Sequence, residues 1–513
     1  MGTFFNPGNG SFTQDKNSEI YIDKTELLKF LNKKLGTNGK CIAVSHARRF
    51  GKSHAAGMID AYYSLGSDSS KLFENTKIAS DPDYEKYRNK YNVIHLDISS
   101  VWDYHKEDLI ESIEERVCED FQKIYGDLLN YKRDFYLLIQ DIYSLTGIPF
   151  VIIIDEWDCV IRNSHDQALV HKYLQFLHSL FKSEESKSFL ALGYITGILP
   201  IKKIKDESAL NNFQEYTMLD SYPITEYYGF TEKEVKDLCK DYSMDFETVK
   251  AWYNGYLIDG EHMYNPNSVS QALERHKIDS YWRNTSAFDT INYAGLKDDV
   301  MKMLTGGKVR INTNTFQNDF SIITSKDDAL TALIHLGYLG YDADRKKSFI
   351  PNYEVATAFE LALQTGSWKE IAESISKCDE LLDETIDGNA ERVAELIELA
   401  HETYTSILKY NDENVLSCVL TMAYFTAPAY YNVIREMPSG KGFADFVFLP
   451  RANAGNRPAM IIELKYNQSA ETALKQIKEK HYQGALSGYQ GKILLVGINY
   501  DSEKHHTCMI EEL

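Results

Sequence analysis

Cysteine is scarce. The chain of 513 residues holds seven, Cys41, Cys118, Cys159, Cys239, Cys378, Cys418 and Cys508, scattered and without a CxxC pair. That odd, dispersed set argues against a disulfide framework and a structural zinc site, and suits a reducing compartment. Basic charge is in deficit: 55 Lys plus Arg stand against 75 Asp plus Glu, a formal net charge of −20. A generally polybasic nucleic-acid binder is thereby excluded, whereas an enzyme with one local basic groove is not. Long apolar runs are missing as well. The longest, such as residues 150–154, are strand-sized, far short of the ~20 residues that a bilayer span needs. Residues 1–20 show neither the basic stretch nor the apolar run of a secretory signal, so a cytoplasmic protein without membrane association is expected. No internal repeat or low-complexity linker stands out, and no GxSxG elbow surrounds Ser53, which removes a serine-nucleophile reading.

What is present is an ordinary globular balance, 43% hydrophobic and 25% charged, which rules out a mainly disordered or fibrous chain. The length suits about three or four domains. Up to about residue 215, strand-like and helical segments alternate. Strands are expected at 41–46, 93–99, 150–154 and 189–196, and helices at 52–63, 107–125 and 167–182. Strands spaced by helices imply βαβ units and a parallel sheet covered on both faces. From about 220 to 370 helical segments mix with Tyr-rich turns, read as a mostly helical lid and bridging region. Residues 376–404 are strongly acidic with apolar residues at helical spacing, as on a solvated helix. The last hundred residues read as helix (413–425), three strands (430–436, 442–449, 460–466), helix (470–482) and strand (492–499).

Two constellations carry chemistry. The first strand runs into Ala47-Arg48-Arg49-Phe50-Gly51-Lys52-Ser53 and then a helix. A phosphate-binding loop needs backbone N–H groups facing phosphate, a Lys for the β and γ phosphates, and a Ser or Thr hydroxyl for Mg²⁺. Gly51, Lys52 and Ser53 supply the second half of GxxxxGK[ST]; His46 stands where its first glycine belongs. Arg48 and Arg49 either face phosphate or pair with surface acids. After the apolar strand FVIII come Asp155 and Glu156, placed to hold the Mg²⁺ shell and to polarise the attacking water. Thr196, at the end of strand 189–196, either senses the γ-phosphate or is satisfied locally.

The second constellation is Asp445 in GFADFVFL with Glu463 and Lys465 in MIIELKY. Strand side chains alternate, so Glu463 and Lys465 share a face, and an adjacent strand can bring Asp445 beside Glu463. Two carboxylates with backbone or water oxygens make a hard Mg²⁺ site, and the Lys orients water or neutralises the transition state. Gly440 and Gly442 suit a tight turn. Glu413 and Gln476 are further site candidates, with Tyr482 near the end of the same helix as Gln476. Solvated or dipole-favoured helix positions are the alternative for all three. His505-His506, on a charged C-terminal tail, do not converge on one metal.

Taken together, ARRFGKS, IDEWD, YITGILPIKK, YNGY, YNPNS and YWRNTS (281–286) resemble the AAA-ATPase-like family of bacterial proteins. A loop with RRFGKS and no first glycine is typical of that family. The D…ExK arrangement in its order of elements resembles the PD-(D/E)XK nuclease superfamily, with Ala444 where the Pro of its name belongs. The resemblances imply an α/β protein with a P-loop ATPase-like core (1–219), the bridging region (220–375) and a restriction-endonuclease-like domain (376–513). ATP and Mg²⁺ are the implied cofactors, with Arg49, Phe50, Gly51, Lys52, Ser53 and Asp155 at the nucleotide. Ser53, Asp155, Asp445 and Glu463 are the implied metal ligands, and Glu156, Asp445, Glu463 and Lys465 the catalytic groups. Nucleic acid, DNA or RNA, is the expected partner, and a homo-oligomer is compatible with such an ATPase. The rival reading is a nucleotide-bound switch whose C-terminal domain binds without cutting. A third is an ATPase with no nuclease function.

Overall fold

A computed structural model describes residues 2–513 except 132, 165, 202–209, 283–295, 305, 318–322, 324, 358, 360–368, 406–418, 421–422, 425, 428–429, 440–441, 451–454, 481–485, 487–488, 490 and 503–504. It divides into two compact units. The first comprises 1–238, 255–271 and 310–348, and the second 239–254, 272–309 and 349–513.

The first unit is built on five strands: β1 (Cys41–Ser45), β2 (Asn92–Asp97), β3 (Phe150–Asp155), β4 (Leu190–Gly197) and β5 (Gln214–Thr217), in the order β2-β3-β4-β1-β5. All four pairings are parallel, so successive strands must be joined by crossovers, and helices make those from β1 to β2, β2 to β3 and β3 to β4. The strands are apolar at consecutive positions because both faces are covered. Period-two alternation divides their side chains between two cores. Phe150, Ile152 and Ile154 of β3, with Cys41 and Ala43 of β1, face one helical layer. Val151, Ile153, Ile42 and Val44 face the other, which holds the helix Lys52–Tyr63. This matches the expected βαβ pattern. A small antiparallel sheet of Phe230–Thr231, Glu261–Tyr264 and Tyr256–Ile258 also belongs to this unit. The Tyr-rich turn region is therefore not purely helical.

The second unit carries β6 (Tyr431–Ser439), β7 (Gly442–Pro450), β8 (Ala459–Tyr466), β9 (Ile493–Tyr500) and β10 (His506–Glu512), side by side in that order. Only β8 and β9 are parallel, and the helix Ala470–Glu479 makes their crossover. Helices Lys369–Ile386 and Ala390–Thr405 account for the acidic stretch. Their apolar stripes, Leu381, Leu382, Val393, Leu396 and Ile397, pack on the face formed by Phe446, Phe448, Ile462 and Val496. The opposite face, with Val447, Ile461 and Leu495, takes Leu474 and Ile477 of the crossover helix. Strand β10 corrects the reading of a charged tail: His506 is a buried strand residue. Its burial alternates, but polar His506 faces in and apolar Met509 faces out, so no apolar pattern announces it.

The crossover helix lies close to its sheet because of one glycine. Gly497 sits opposite Glu463 in the β8–β9 ladder. A Cβ there would collide with the Ala470 carbonyl and lie 3.0 Å from the Ala473 Cβ. A backbone carbonyl in a helix cannot swing away as a side chain can. Gly497→Ala should therefore lower the stability of this unit by about 1–3 kcal/mol. Urea unfolding of the native and variant chains checks this, and equal midpoints would show a helix that floats on its sheet.

Candidate functional sites

Gly51 caps the helix Lys52–Tyr63 at φ +85°, in the left-handed region where a side chain is strained. Arg49 is also left-handed, at φ +65°. These two reversals bend the chain between β1 and its helix, so the helix N-terminus opens at the C-terminal edge of the sheet, where an anion is favoured. Lys52 is buried, and its Nζ donates to the carbonyls of His46 and Ala47, both at 2.9 Å. Burial lowers its pKa, and the charges of Glu156, Asp155 and Asp158 pull the other way. Ser53, next in the helix, and Arg49 are exposed.

His46 replaces the first loop glycine without filling the loop. Its ring is wholly buried, with Nε2 2.9 Å from Ser221 Oγ and its centroid 5.1 Å from that of Tyr228. Burial, then the Lys52 charge, drives its pKa down to about 3, so it is a neutral imidazole. Phe50, expected at the nucleotide, has a fully buried side chain packed edge-on against Tyr256 at 5.1 Å. Its carbonyl accepts the Gly229 N–H at 3.0 Å. The amide of Asn265 donates to the Arg48 carbonyl at 3.3 Å. The motifs YNGY and YNPNS thus have a physical role here: they brace the outside of the phosphate loop.

Across β4 from β1, β3 delivers Asp155, which is buried. Its Oδ1 accepts from the Thr196 hydroxyl and from the Glu156 N–H, the latter at 3.0 Å. Thr196 is thus bonded to Asp155. Glu156 has φ +55°, an uncommon conformation for a side-chain-bearing residue, which costs about 1 kcal/mol or more and must be held by its surroundings. Its Oε2 lies 2.6 Å from Arg162, whose Nε lies 2.8 Å from Asp158 Oδ2. Sequence reasoning passed over Asp158 and Arg162. The available signal was their i, i+4 spacing at the start of a short helix, Cys159–Asn163.

In the second unit Glu463 and Lys465 both face the crossover helix, as alternation requires. Glu463 is 2% exposed. Its Oε1 accepts from Lys465 Nζ at 3.0 Å and from the Gln476 amide, while its Oε2 is buried with no hydrogen-bond partner. Asp445 Oδ2 accepts the Leu464 N–H at 2.7 Å, which pins it beside the Glu463 strand. Lys465 also donates to the Leu464 carbonyl at 2.9 Å. Burial first, then the Asp445 charge, pushes the Glu463 carboxyl up to about 7, with Lys465 pulling back. An open carboxylate oxygen beside a second carboxylate is a donor set that fits a hard divalent cation. Among the described residues no group of three or more His, Cys, Asp or Glu converges, so backbone carbonyls, water or phosphate would complete either metal shell. Glu413, Tyr482 and Gly440 lie outside the described residues, as does most of YWRNTS.

The first unit therefore gathers a left-handed glycine, a lysine and strand-end acids at one edge of a parallel sheet, and the second sets two carboxylates and a lysine on adjacent strands. Comparison with known families agrees: the chain carries an AAA-ATPase-like domain, matching the model for a predicted AAA-ATPase over residues 10–205, and a PD-(D/E)XK nuclease superfamily domain over residues 411–510. A curated relative, an uncharacterized protein in the vnfD 5′ region of Azotobacter chroococcum mcd 1, is 24% identical over 274 residues, which is 52% of this chain. The match spans about half (50%) of that relative's length. Among solved structures, the Aeropyrum pernix ORC2 protein in its ADPNP–ADP complexes overlaps 70% of this chain and 98% of its own, at 9% identity and TM-score 0.33. The replication initiator DnaA bound to AMPPCP and single-stranded DNA overlaps 80% of this chain and 96% of its own, at 10% identity and TM-score 0.28. Overlaps this loose carry no functional information.

The raised Glu463 pKa has a stability consequence. Between the ordinary value of 4.5 and about 7 the folded chain holds a proton that the unfolded chain has lost. Stability must fall as pH rises through that window. In the presence of chelator, Glu463→Gln should gain on the native protein by on the order of 2 kcal/mol from pH 5 to pH 8. Thermal unfolding at both pH values reads the difference; a pH-independent offset would refute it.

Proposed function

We propose that the chain is an ATP-binding P-loop ATPase coupled to a metal-dependent phosphodiesterase that cuts nucleic acid. The observation that carries the nuclease half is Glu463, 2% exposed on an apolar strand with one carboxylate oxygen unpartnered. Such burial is costly unless a cation or a reacting group repays it. In this reading Lys465 offers its ammonium to the scissile phosphate or the attacking water, and Gln476 fixes the Glu463 rotamer. A divalent cation between Asp445 and Glu463 would lower the pKa of a bound water and offset charge developing on the phosphodiester. Lys480, one turn beyond Gln476, puts a positive charge close enough to act on Glu463. It is a local attraction for a polyanion in a chain of net charge −20.

At the nucleotide site, Lys52, which donates to the His46 and Ala47 carbonyls, would turn its ammonium to the nucleotide phosphates. Ser53 and Asp155 would hold Mg²⁺, which would neutralise phosphate charge. Glu156 orients the attacking water. Residues 1–219 would serve as the ATPase core, 220–375 as the bridging region and 376–513 as the nuclease, with nucleotide binding controlling the nuclease site. Among the described residues no helix is long and apolar enough to cross a membrane.

A mixed DNA and RNA panel with Mg²⁺ or Mn²⁺, with and without ATP, tests this. Glu463→Ala should reduce cleavage at least ~100-fold, and Lys52→Ala should abolish the ATP dependence. Native and Glu463→Ala proteins that bind the panel equally and cut nothing would replace the nuclease with a non-cleaving binding module.

A further inference from the structure

Glu156 does not stand alone after β3. Its carboxylate is 2.6 Å from Arg162, and the same guanidinium is 2.8 Å from Asp158. Asp158 is fully buried, and its Oδ2 also accepts the backbone N–H groups of Ile198 at 3.2 Å and Leu199 at 3.0 Å. Ile198 and Leu199 follow β4 directly, inside the YITGILPIKK segment. Trp157 N–H donates to the Thr196 carbonyl at 2.9 Å, and a Cβ on Gly197 would lie 2.7 Å from Asp158 Oδ1. The turn after β3 and the turn after β4 are therefore one interlocked assembly, with Arg162 at its outer end.

Charge and burial support a working role for this cation. The Arg162 side chain is 10% exposed and that of Glu156 26%. Burial opposes the guanidinium charge, but Asp158 and Glu156 more than offset it and hold Arg162 above its ordinary value. Of the carboxylates acting on Lys52, Glu156 acts most strongly. Glu156 follows β3 at the same edge of the sheet as the loop that follows β1 and carries Lys52. A long side chain with 26% exposure and a left-handed backbone would otherwise sample several rotamers. A planar guanidinium fixes a carboxylate in direction as well as in charge.

We propose that Arg162 is a positioning residue for ATP hydrolysis: it fixes the Glu156 carboxylate beside the phosphate loop and ties it, through Asp158, to the turn after β4. This role rests on the hydrolysis reading given above. It requires that Arg162 act through Glu156 and leave nucleotide affinity to Lys52 and the loop.

Steady-state ATPase kinetics on the full chain test it, together with the affinity for a fluorescent ATP analogue and the unfolding temperature. Arg162→Ala should lower kcat about 10–100-fold while nucleotide affinity stays within about threefold of native. Arg162→Lys should recover part of the loss, since an ammonium keeps the charge but cannot serve both carboxylates in a planar fork. In a Glu156→Gln background, Arg162→Ala should change kcat by less than about twofold. Equal losses in both backgrounds would overturn the role, as would nucleotide affinity falling in step with kcat. Should Arg162→Ala fail to fold, Arg162→Lys carries the test, and a native kcat in that variant overturns the proposal. Hydrolysis that ignores Arg162 removes this role alone. Absence of any Lys52-dependent hydrolysis removes the hydrolysis reading and the role with it.

Discussion

Charge held against desolvation at the ends of apolar strands is the constraint on which both candidate sites depend. A lysine or carboxylate taken from water loses several kcal/mol of solvation unless partners stand in for the water. In the first unit the substitutes are main-chain carbonyls for Lys52, a hydroxyl and an N–H for Asp155, and an arginine for Glu156. In the second they are a lysine and an amide for Glu463 and an N–H for Asp445. Some substitutes are local, such as the His46 and Ala47 carbonyls and Lys465, but Thr196 and the Leu464 N–H come from a neighbouring strand and Gln476 from the crossover helix. The sites are therefore consequences of strand order: β4 must lie between β1 and β3, and β7 must flank β8.

The same order explains the different openness of the two sites. A parallel sheet collects its strand ends at one edge, where the helix N-terminus already favours an anion. The nucleotide candidates accordingly gather there, with Ser53 and Arg49 exposed. In the mixed sheet the carboxylates sit mid-ladder under the crossover helix, which can approach closely only because Gly497 lacks a side chain. The first arrangement suits an exchangeable soluble ligand, and the second suits groups held rigidly in a low-dielectric pocket.

Much of this was legible in the residues. Continuous apolar runs such as FVIII announce strands covered on both faces, and alternation alone puts Glu463 and Lys465 on one side. The acids after β3 and the GKS triplet follow from position relative to those strands. Other features were hidden because they arise from long-range pairing. Nothing near His46 reveals that Ser221 and Tyr228 will hold its ring. Phe50 sits inside a motif that looks ligand-facing, yet its partner Tyr256 is two hundred residues away. Strand β10 escaped because its most buried position is a histidine and one of its exposed positions a methionine. Gln476 was one of two equal readings until the crossover helix was seen to lie over Glu463.

The bracing of the phosphate loop has a bearing on how the chain is made. Gly229, Tyr256 and Asn265 touch Phe50 and Arg48 from positions that leave the ribosome long after the loop itself. Contacts of such sequence separation are slow to form. During synthesis the loop, Lys52 included, must wait with Phe50 uncovered, so the nascent ATPase-like domain carries an apolar, unfinished surface. The loop is then braced only when the residues up to Asn265 have been made, so the outer support of this turn is completed late in the synthesis of the first unit.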